Sequence, residues 1–454
     1  MRSILLCLGA LSSSALLLAA EVTFHEHVAP IVKRSCLACH AGDEPKADLS
    51  LETLEKLMAG GKNGPPVVPG KPEESLLYLL TSRQRKPAMP PKREDALGAQ
   101  DVAVVKAWIE GGARAGEAPR ERAPYSEPIA APSYSRPCPV TALAYSPDGK
   151  RLFVSGHREI LVHEAEPAAA EASSLLSRWA GEAERLNALQ VSPDGSLLAA
   201  AGGTPGLFGE LQLWSLETGN LARFHRTGRD TLFAAAFSPD GARIALCGAE
   251  RSVRVIDAAS LKELHAAELH SDWVFGAAFS ADGSRLVSSG RDKTVKVLEG
   301  VEGKLLSNLA TLDDPVLALR ARPGTAQAAA GGGRTPILFD LKDLKEVRKY
   351  EAQPGQVLAM AFSPDGSLLA VGGSSQEVRV YQAEDGGRKL TLRTGSEWTY
   401  ALAFRPDGER LAAAGYEGVV RIFGLKDDKE IRTFVPAPIT PAKTAPERRA
   451  PGEE

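Results

Sequence analysis

The chain has 454 residues, 43% of them apolar and 24% charged, which is too long for one ordinary domain and has the composition of core-forming domains rather than of a disordered chain. A formal net charge of −3 excludes a general nucleic-acid binder, and no segment carries a basic stripe. The 43 glycines and 31 prolines cut the apolar material into short pieces, which favours short strands and many turns.

Residues 1–20 read as a secretory signal: Arg2, an apolar run to about Leu18, then small Ala19 and Ala20 before polar Glu21. Leu18 stands where signal cleavage favours a small residue, so an uncleaved membrane anchor is the alternative. No later run is long and apolar enough to span a bilayer. Without Cys7 the chain keeps Cys36, Cys39, Cys138 and Cys247. An even number in an exported chain formally permits two disulfides, but Cys138 and Cys247 fall in different repeat units, and Cys247, in "RIALCGAE", reads as a buried free thiol.

Residues 21–116 carry helical punctuation. "APIVKRSCLACH", "LETLEKLMAG" and "EESLLYLL" read as helices, as does "DVAVVKAWIEGG", with Val102, Val105 and Ile109 at i, i+3, i+7 and Gly111 as a stop. Within the first lies "RSCLACHAG", whose Cys36, Cys39 and His40 have the spacing C-x-x-C-H. On a helical turn these three share a face and address one planar ligand, which is the spacing of a covalently attached c-type haem with histidine as proximal ligand. A zinc site needs two further ligands, and the remaining cysteines lie roughly one hundred and two hundred residues away. A thioredoxin-like pair needs a βαβ setting, which "FHEHVAPIVKR" does not supply. The expected cofactor is therefore one covalent haem c, with zinc and dithiol chemistry as the alternatives.

Three methionines, Met58, Met89 and Met360, are left for the second axial position once the signal is removed. Met89 sits in "KPAMPPKRE", 49 residues after His40, where prolines stiffen an extended loop that can bring a thioether to the opposite haem face. Met58 reads as helix packing, and His25 and His27 as surface histidines that compete for the same role. Arg83, Arg85, Lys86, Lys92 and Arg93 flank Met89, a local positive field that suits an acidic redox partner.

Residues 117–138 carry a proline every few positions and read as an extended linker, and residues 437–454 as a disordered tail. Between them, over 139–436, a phrase repeats: "YSPDG" ending at Gly149, then its variants ending at Gly195, Gly241, Gly283, Gly324, Gly366 and Gly408. The steps are 46, 46, 42, 41, 42 and 42 residues. Each anchor lies between short apolar strands and is followed by an alternating one such as "VRVID" or "VKVLE". A four-stranded unit of that length cannot bury both faces alone, so seven anchors imply a seven-bladed propeller.

The units resemble WD40 repeats. The fourth is nearest, with His270 ahead of its first strand, Ser288 or Ser289 in the second, Asp292 in the tight turn and Leu298 where the family's tryptophan stands; blade two has Trp214 in that slot but lacks the aspartate. The segment from Val22 to Ala113 resembles the planctomycete-type cytochrome c domain through "VTFHEHVAPIVKRSCLACH", "GGKNGPPVVPGKPEESLLYLL", "AMPPK" and "VVKAWIEGGA". This implies a small all-α, class-I-like haem fold whose leading helix crosses the one containing Trp108, followed by the all-β propeller. Ring closure has two candidate strands, "PIAAPSY" before the first blade and "KEIRTF" at the last.

The expected function is an exported mono-haem electron carrier, not itself an enzyme, whose propeller docks other proteins. The alternatives are a haem-dependent oxidoreductase or subunit of one, resembling nitrite reductases with a second haem in an eight-bladed propeller, and a gas sensor with a labile Met89. A single C-x-x-C-H excludes a di-haem peroxidase, and no hydrolase or phosphate-loop arrangement is present.

Overall fold

The computed structural model describes residues 22–37, 39–40, 45–91, 96–116, 129–166, 174–228, 230–395 and 398–440. The expected signal and most of the expected tail lie outside the described residues. The chain divides into two compact units, Met1–Ala123 and Pro124–Glu454.

The first unit is helical. A π-turn, Phe24–Val28, runs into α1 (Ala29–Ser35), followed by α2 (Leu54–Ala59), α3 (Leu76–Thr81) and α4 (Ala99–Glu110). Each boundary has a local cause. Thr53 caps α2 by accepting the Lys56 N–H, as a hydroxyl at that position does for an orphan donor, and Gly111 terminates α4. Buried Ser75 donates to the Lys71 carbonyl and accepts the Val68 N–H, fixing the approach to α3. The core gathers Phe24, Val28, Leu57, Val105, Trp108 and Ile109. Phe24 packs on Trp108 with ring centroids 5.6 Å apart, so the leading segment and α4 meet as the resemblance implied. Backbone bonds from Phe24 to Arg114 (2.9 Å) and His25 to Ala115 (3.0 Å) tie the two ends of the unit together.

The second unit is the expected propeller. Its first sheet runs β1 (Leu143–Tyr145), β2 (Arg151–Ser155), β3 (His157–Glu164), β4 (Leu175–Val191), β5 (Leu197–Thr204), β6 (Phe208–Ser215) and β7 (Leu221–Thr227) in sequence order. The 17-residue β4 is at once the outer strand of blade 1 and the inner strand of blade 2. Five further four-stranded antiparallel sheets complete seven blades among the described residues. Seven apolar clusters lie between consecutive blades, the seventh between blades 7 and 1. Fully burying each large aliphatic side chain in them is worth about 1.5–3 kcal/mol.

The repeated phrase folds as a β-turn. In blade 1 the Gly149 N–H bonds the Ser146 carbonyl at 2.9 Å, Gly149 takes φ +70°, and the Ser146 hydroxyl donates to Asp148 while accepting the Arg151 N–H. The serine thus locks the turn to the next strand, and Ser192, Ser238, Ser280 and Ser363 repeat the contact.

The WD40 hydrogen-bonded set is partly present and elsewhere replaced. In blade 4, His270 lies 3.0 Å from Asp292 and 2.8 Å from Ser288, which selects Ser288 over Ser289. In blade 2, Trp214 donates to Gln212, Gln212 to the buried Glu210, and Arg226 bridges Glu210 and Glu182. Blade 1 uses Tyr134, buried Glu159 and Arg178 in the same way.

"KEIRTF" supplies the last blade's outer strand, Glu430–Phe434, so that blade is complete in itself. Closure also takes in residues outside the expected boundaries. Tyr134, placed in the linker at the sequence level, and Ala437, placed in the tail, are both buried in the closing cluster, and Tyr134 bridges Ile439 in parallel.

His163 stands at this seam. Its ring lies 4.9 Å from that of Phe434 in the last strand, its Nδ1 is 2.9 Å from the Ser174 hydroxyl, and burial, then the nearby Arg432 charge, pull its pKa down to about 4. Below about pH 6.5 the unfolded chain takes up a proton that the folded one refuses, so stability is full above that pH and declines as pH falls towards 4, by at most about 1.4 kcal/mol per pH unit. A His163→Asn variant is expected to flatten this decline, read as the difference in urea midpoint between pH 7 and pH 5; an unchanged decline contradicts the assignment.

Candidate haem site

Helix α1 ends at Ser35 and Cys36 is its C-cap. The motif itself forms one further turn, because the N–H groups of Cys39 and His40 both bond the Cys36 carbonyl at 3.1 Å. These are i→i+3 and i→i+4 bonds, so the shared face expected for Cys36, Cys39 and His40 is retained although the regular helix has stopped. The segment after the motif folds back on it. The Lys46 N–H bonds the Cys39 carbonyl at 2.9 Å and the Leu51 N–H bonds the His40 carbonyl at 2.8 Å.

The same return fixes the imidazole. His40 Nδ1 lies 3.1 Å from the Leu49 carbonyl oxygen. A carbonyl only accepts, so Nδ1 carries the proton and Nε2 is left with its lone pair. Metal-ligating histidines are oriented in this way by the atom behind them, which also raises ligand basicity. Nothing in the sequence announces Leu49, since its contribution is a backbone atom.

Cys36 and Cys39 are both free thiols. Burial, and then the proximity of Cys39, push the Cys36 thiol up to about 11. Dithiol exchange needs a thiolate at ambient pH, so this environment opposes the redox-pair reading. Among the described residues no group of three or more His, Cys, Asp and Glu side chains is arranged to hold a metal ion. Two thiols, that of Cys36 held protonated by burial, and a histidine with one presented nitrogen fit a covalent haem.

Met89 is carried by the loop after α3. Its N–H bonds the Leu80 carbonyl at 3.0 Å, the Arg85 N–H bonds the Leu79 carbonyl at 3.0 Å, and the Arg83 guanidinium donates to the Pro90 carbonyl at 3.2 Å, so the loop is tethered to the helix end at several points. Met89 is half-buried yet is not among the side chains that pack on the unit's core, whereas Met58 is. Met360 lies buried in the propeller. Of the five flanking cations, Arg83, Arg85 and Lys86 are exposed; Lys92 and Arg93 fall outside the described residues. His25 packs its ring against Phe24 at 5.4 Å, and His27 Nδ1 accepts the Thr23 N–H at 3.2 Å.

The segment 36–93 matches the family model for planctomycete cytochrome C, from the first cysteine of the motif to just past the methionine loop. Segments 261–298, 344–382 and 388–424 match the WD domain, G-beta repeat. The chain joins a planctomycete-type cytochrome c domain to a WD40-repeat propeller. Each matched WD40 repeat takes the outer strand of one blade and the three inner strands of the next, so the sequence unit is offset from the blade by one strand. Comparison with curated proteins finds no match to the chain. The other two cysteines play no part in the cytochrome domain. Cys247 is buried in blade 3, and burial pushes its thiol up to about 12, while burial also raises half-buried Cys138.

Proposed function

We propose that this protein is an exported mono-haem c-type cytochrome that carries electrons, with a propeller that docks partner proteins and without a substrate site of its own. The observation that carries the reading is the His40 imidazole, held through Nδ1 on the Leu49 carbonyl beside the free thiols of Cys36 and Cys39. In this reading Cys36 and Cys39 would hold the haem covalently, and His40, through Nε2, and Met89 would ligate its iron. When bound, the group supplies a one-electron Fe(III)/Fe(II) couple, and histidine–methionine ligation sets it at high potential. The protein's part is to fix the imidazole by the returning 45–51 segment and to hold the thioether in a loop tethered to α3. Exposed Arg83, Arg85 and Lys86 favour an acidic redox partner at the methionine side, with exchange rates that fall as salt rises. Export is consistent with the apolar N-terminal segment. No helix among the described residues is long and apolar enough to cross a membrane.

The test is expression with c-type maturation and spectra of both oxidation states for the wild type and Met89→Ala. The variant is expected to lose the sulfur-to-iron charge-transfer band of the oxidised form, to bind carbon monoxide when reduced, and to have a lower potential. A retained band removes Met89 as the ligand, and carbon monoxide binding by the reduced wild type turns the reading towards a sensor.

A further inference from the structure

The seven inner strands surround the propeller axis, and their free edges present backbone N–H and C=O groups to the channel. In the segments 140–145, 186–191, 232–237, 274–279, 316–321, 357–362 and 399–404, forty-two positions in all, Arg320 is the one charged residue. Strand registers put it in a single row around the axis. Arg320 pairs with Ala329 as Ala144 does with Phe153, Gln190 with Ala199, Ala236 with Ala245, Ala278 with Val287, Ala361 with Ala370 and Ala403 with Ala412. Five members of the row are alanines and one is a glutamine, so Arg320 is its one charged side chain.

Arg320 is exposed while Ala318 and Leu319 beside it are buried, as befits a side chain standing in the channel and not between blades. Among the described residues its hydrogen bond is to its own strand, Nη1 to the Leu319 carbonyl at 2.8 Å. Among the described residues no carboxylate lies within ion-pair reach of it, and desolvation with no opposing charge lowers its pKa. Some other propeller arginines are differently served: Arg178 has Glu159, Arg226 has Glu210 and Glu182, and Arg379 has Glu377. The row's one other polar side chain, Gln190, engages its carbonyl oxygen with the Phe237 N–H at 2.9 Å, which leaves its amide nitrogen as a donor. A planar, permanently charged fork, exposed on an inner strand with no carboxylate opposite it among the described residues, is suited to a two-oxygen acceptor.

We propose that the axial channel of the propeller is a binding site for a small oxyanion, phosphate-sized, held by the Arg320 guanidinium. The site is independent of the haem reading.

The full haem-loaded chain is titrated calorimetrically with inorganic phosphate and with sulfate, and the thermal unfolding of the propeller is followed in each. Saturable uptake of one anion per chain and a raised unfolding temperature are expected. Arg320→Gln is expected to abolish both effects, and Arg320→Lys, which keeps the charge but loses the fork, to weaken uptake about tenfold or more. Arg388→Gln, on an outer strand, is expected to bind as the wild type does. Should Arg320→Gln fail to fold, phosphate protection of Arg320 against phenylglyoxal in the wild type, mapped by peptide mass, gives the same answer. No saturable uptake by the wild type, uptake unchanged in Arg320→Gln, or labelling of Arg320 indifferent to phosphate each overturns the proposal.

Discussion

Replacing Cys36 and Cys39 together by alanine is expected to yield an exported chain with no covalently attached haem, so that its mass equals that of the polypeptide and its spectrum lacks the Soret band. The effect is all or none because the two thiols are the only cysteines in residues 21–116, and neither Cys138 nor Cys247, both in the propeller, can substitute. The single replacements should each leave one thioether, with a lower yield of loaded protein and a spectrum shifted by the vinyl group left unreacted. Cys247→Ala, which removes a thiol fully enclosed in blade 3, should load normally, giving a control in which a cysteine is lost without consequence for the haem. The propeller has its own seven cores, so far-ultraviolet dichroism of the double variant should keep its strand signature and separate failure of attachment from failure of folding. A wild-type chain exported with the maturation machinery and still lacking the haem mass increment would leave the C-x-x-C-H turn without its assigned role.

What the sequence showed, and what it hid, divides along one physical line. Features set by side-chain pattern were legible. The seven glycine anchors gave seven blades, because each glycine closes a turn at φ near +70° that other residues adopt only with strain. Cys36, Cys39 and His40 were legible because their spacing is itself the geometry. Features set by backbone atoms or by register were not. Leu49 orients His40 through a carbonyl, a group every residue has. The serine of the repeated phrase was visible but its role was not, since its partners are an aspartate two residues on and an N–H five residues on. Arg320 was hidden by register. Blade 5 carries a degraded anchor, "ARPG", one residue short, and only strand pairing shows that the arginine falls in a row of alanines. Family-model matches appear in blades 4, 6 and 7 although the chain builds all seven.

Trp108→Ala carries the largest expected cost to stability, and it falls on the cytochrome domain alone. The indole is 0% exposed, lies against Phe24 and donates through Nε1 to the Arg114 carbonyl at 2.9 Å, so it joins the leading segment to the C-terminal end of the domain. Truncating a buried tryptophan to alanine costs about 3–5 kcal/mol, whereas a domain of this length holds about 5–14 kcal/mol in total. The variant should therefore lose between about a fifth and all of its stability, and in urea, with a slope of about 2 kcal/mol per molar, its midpoint should fall by about 2 M. Trp108→Phe keeps the ring contact and loses the N–H donor, so a cost of about 1 kcal/mol is expected. Loss of the Soret signature against urea follows the haem-bearing unit, and dichroism near 218 nm follows the propeller. The two curves should separate in Trp108→Ala and stay as in the wild type for the propeller. A midpoint shift under about 0.5 M in the Soret curve, or an equal shift in both curves, would show that Trp108 is not the residue on which this domain's packing rests.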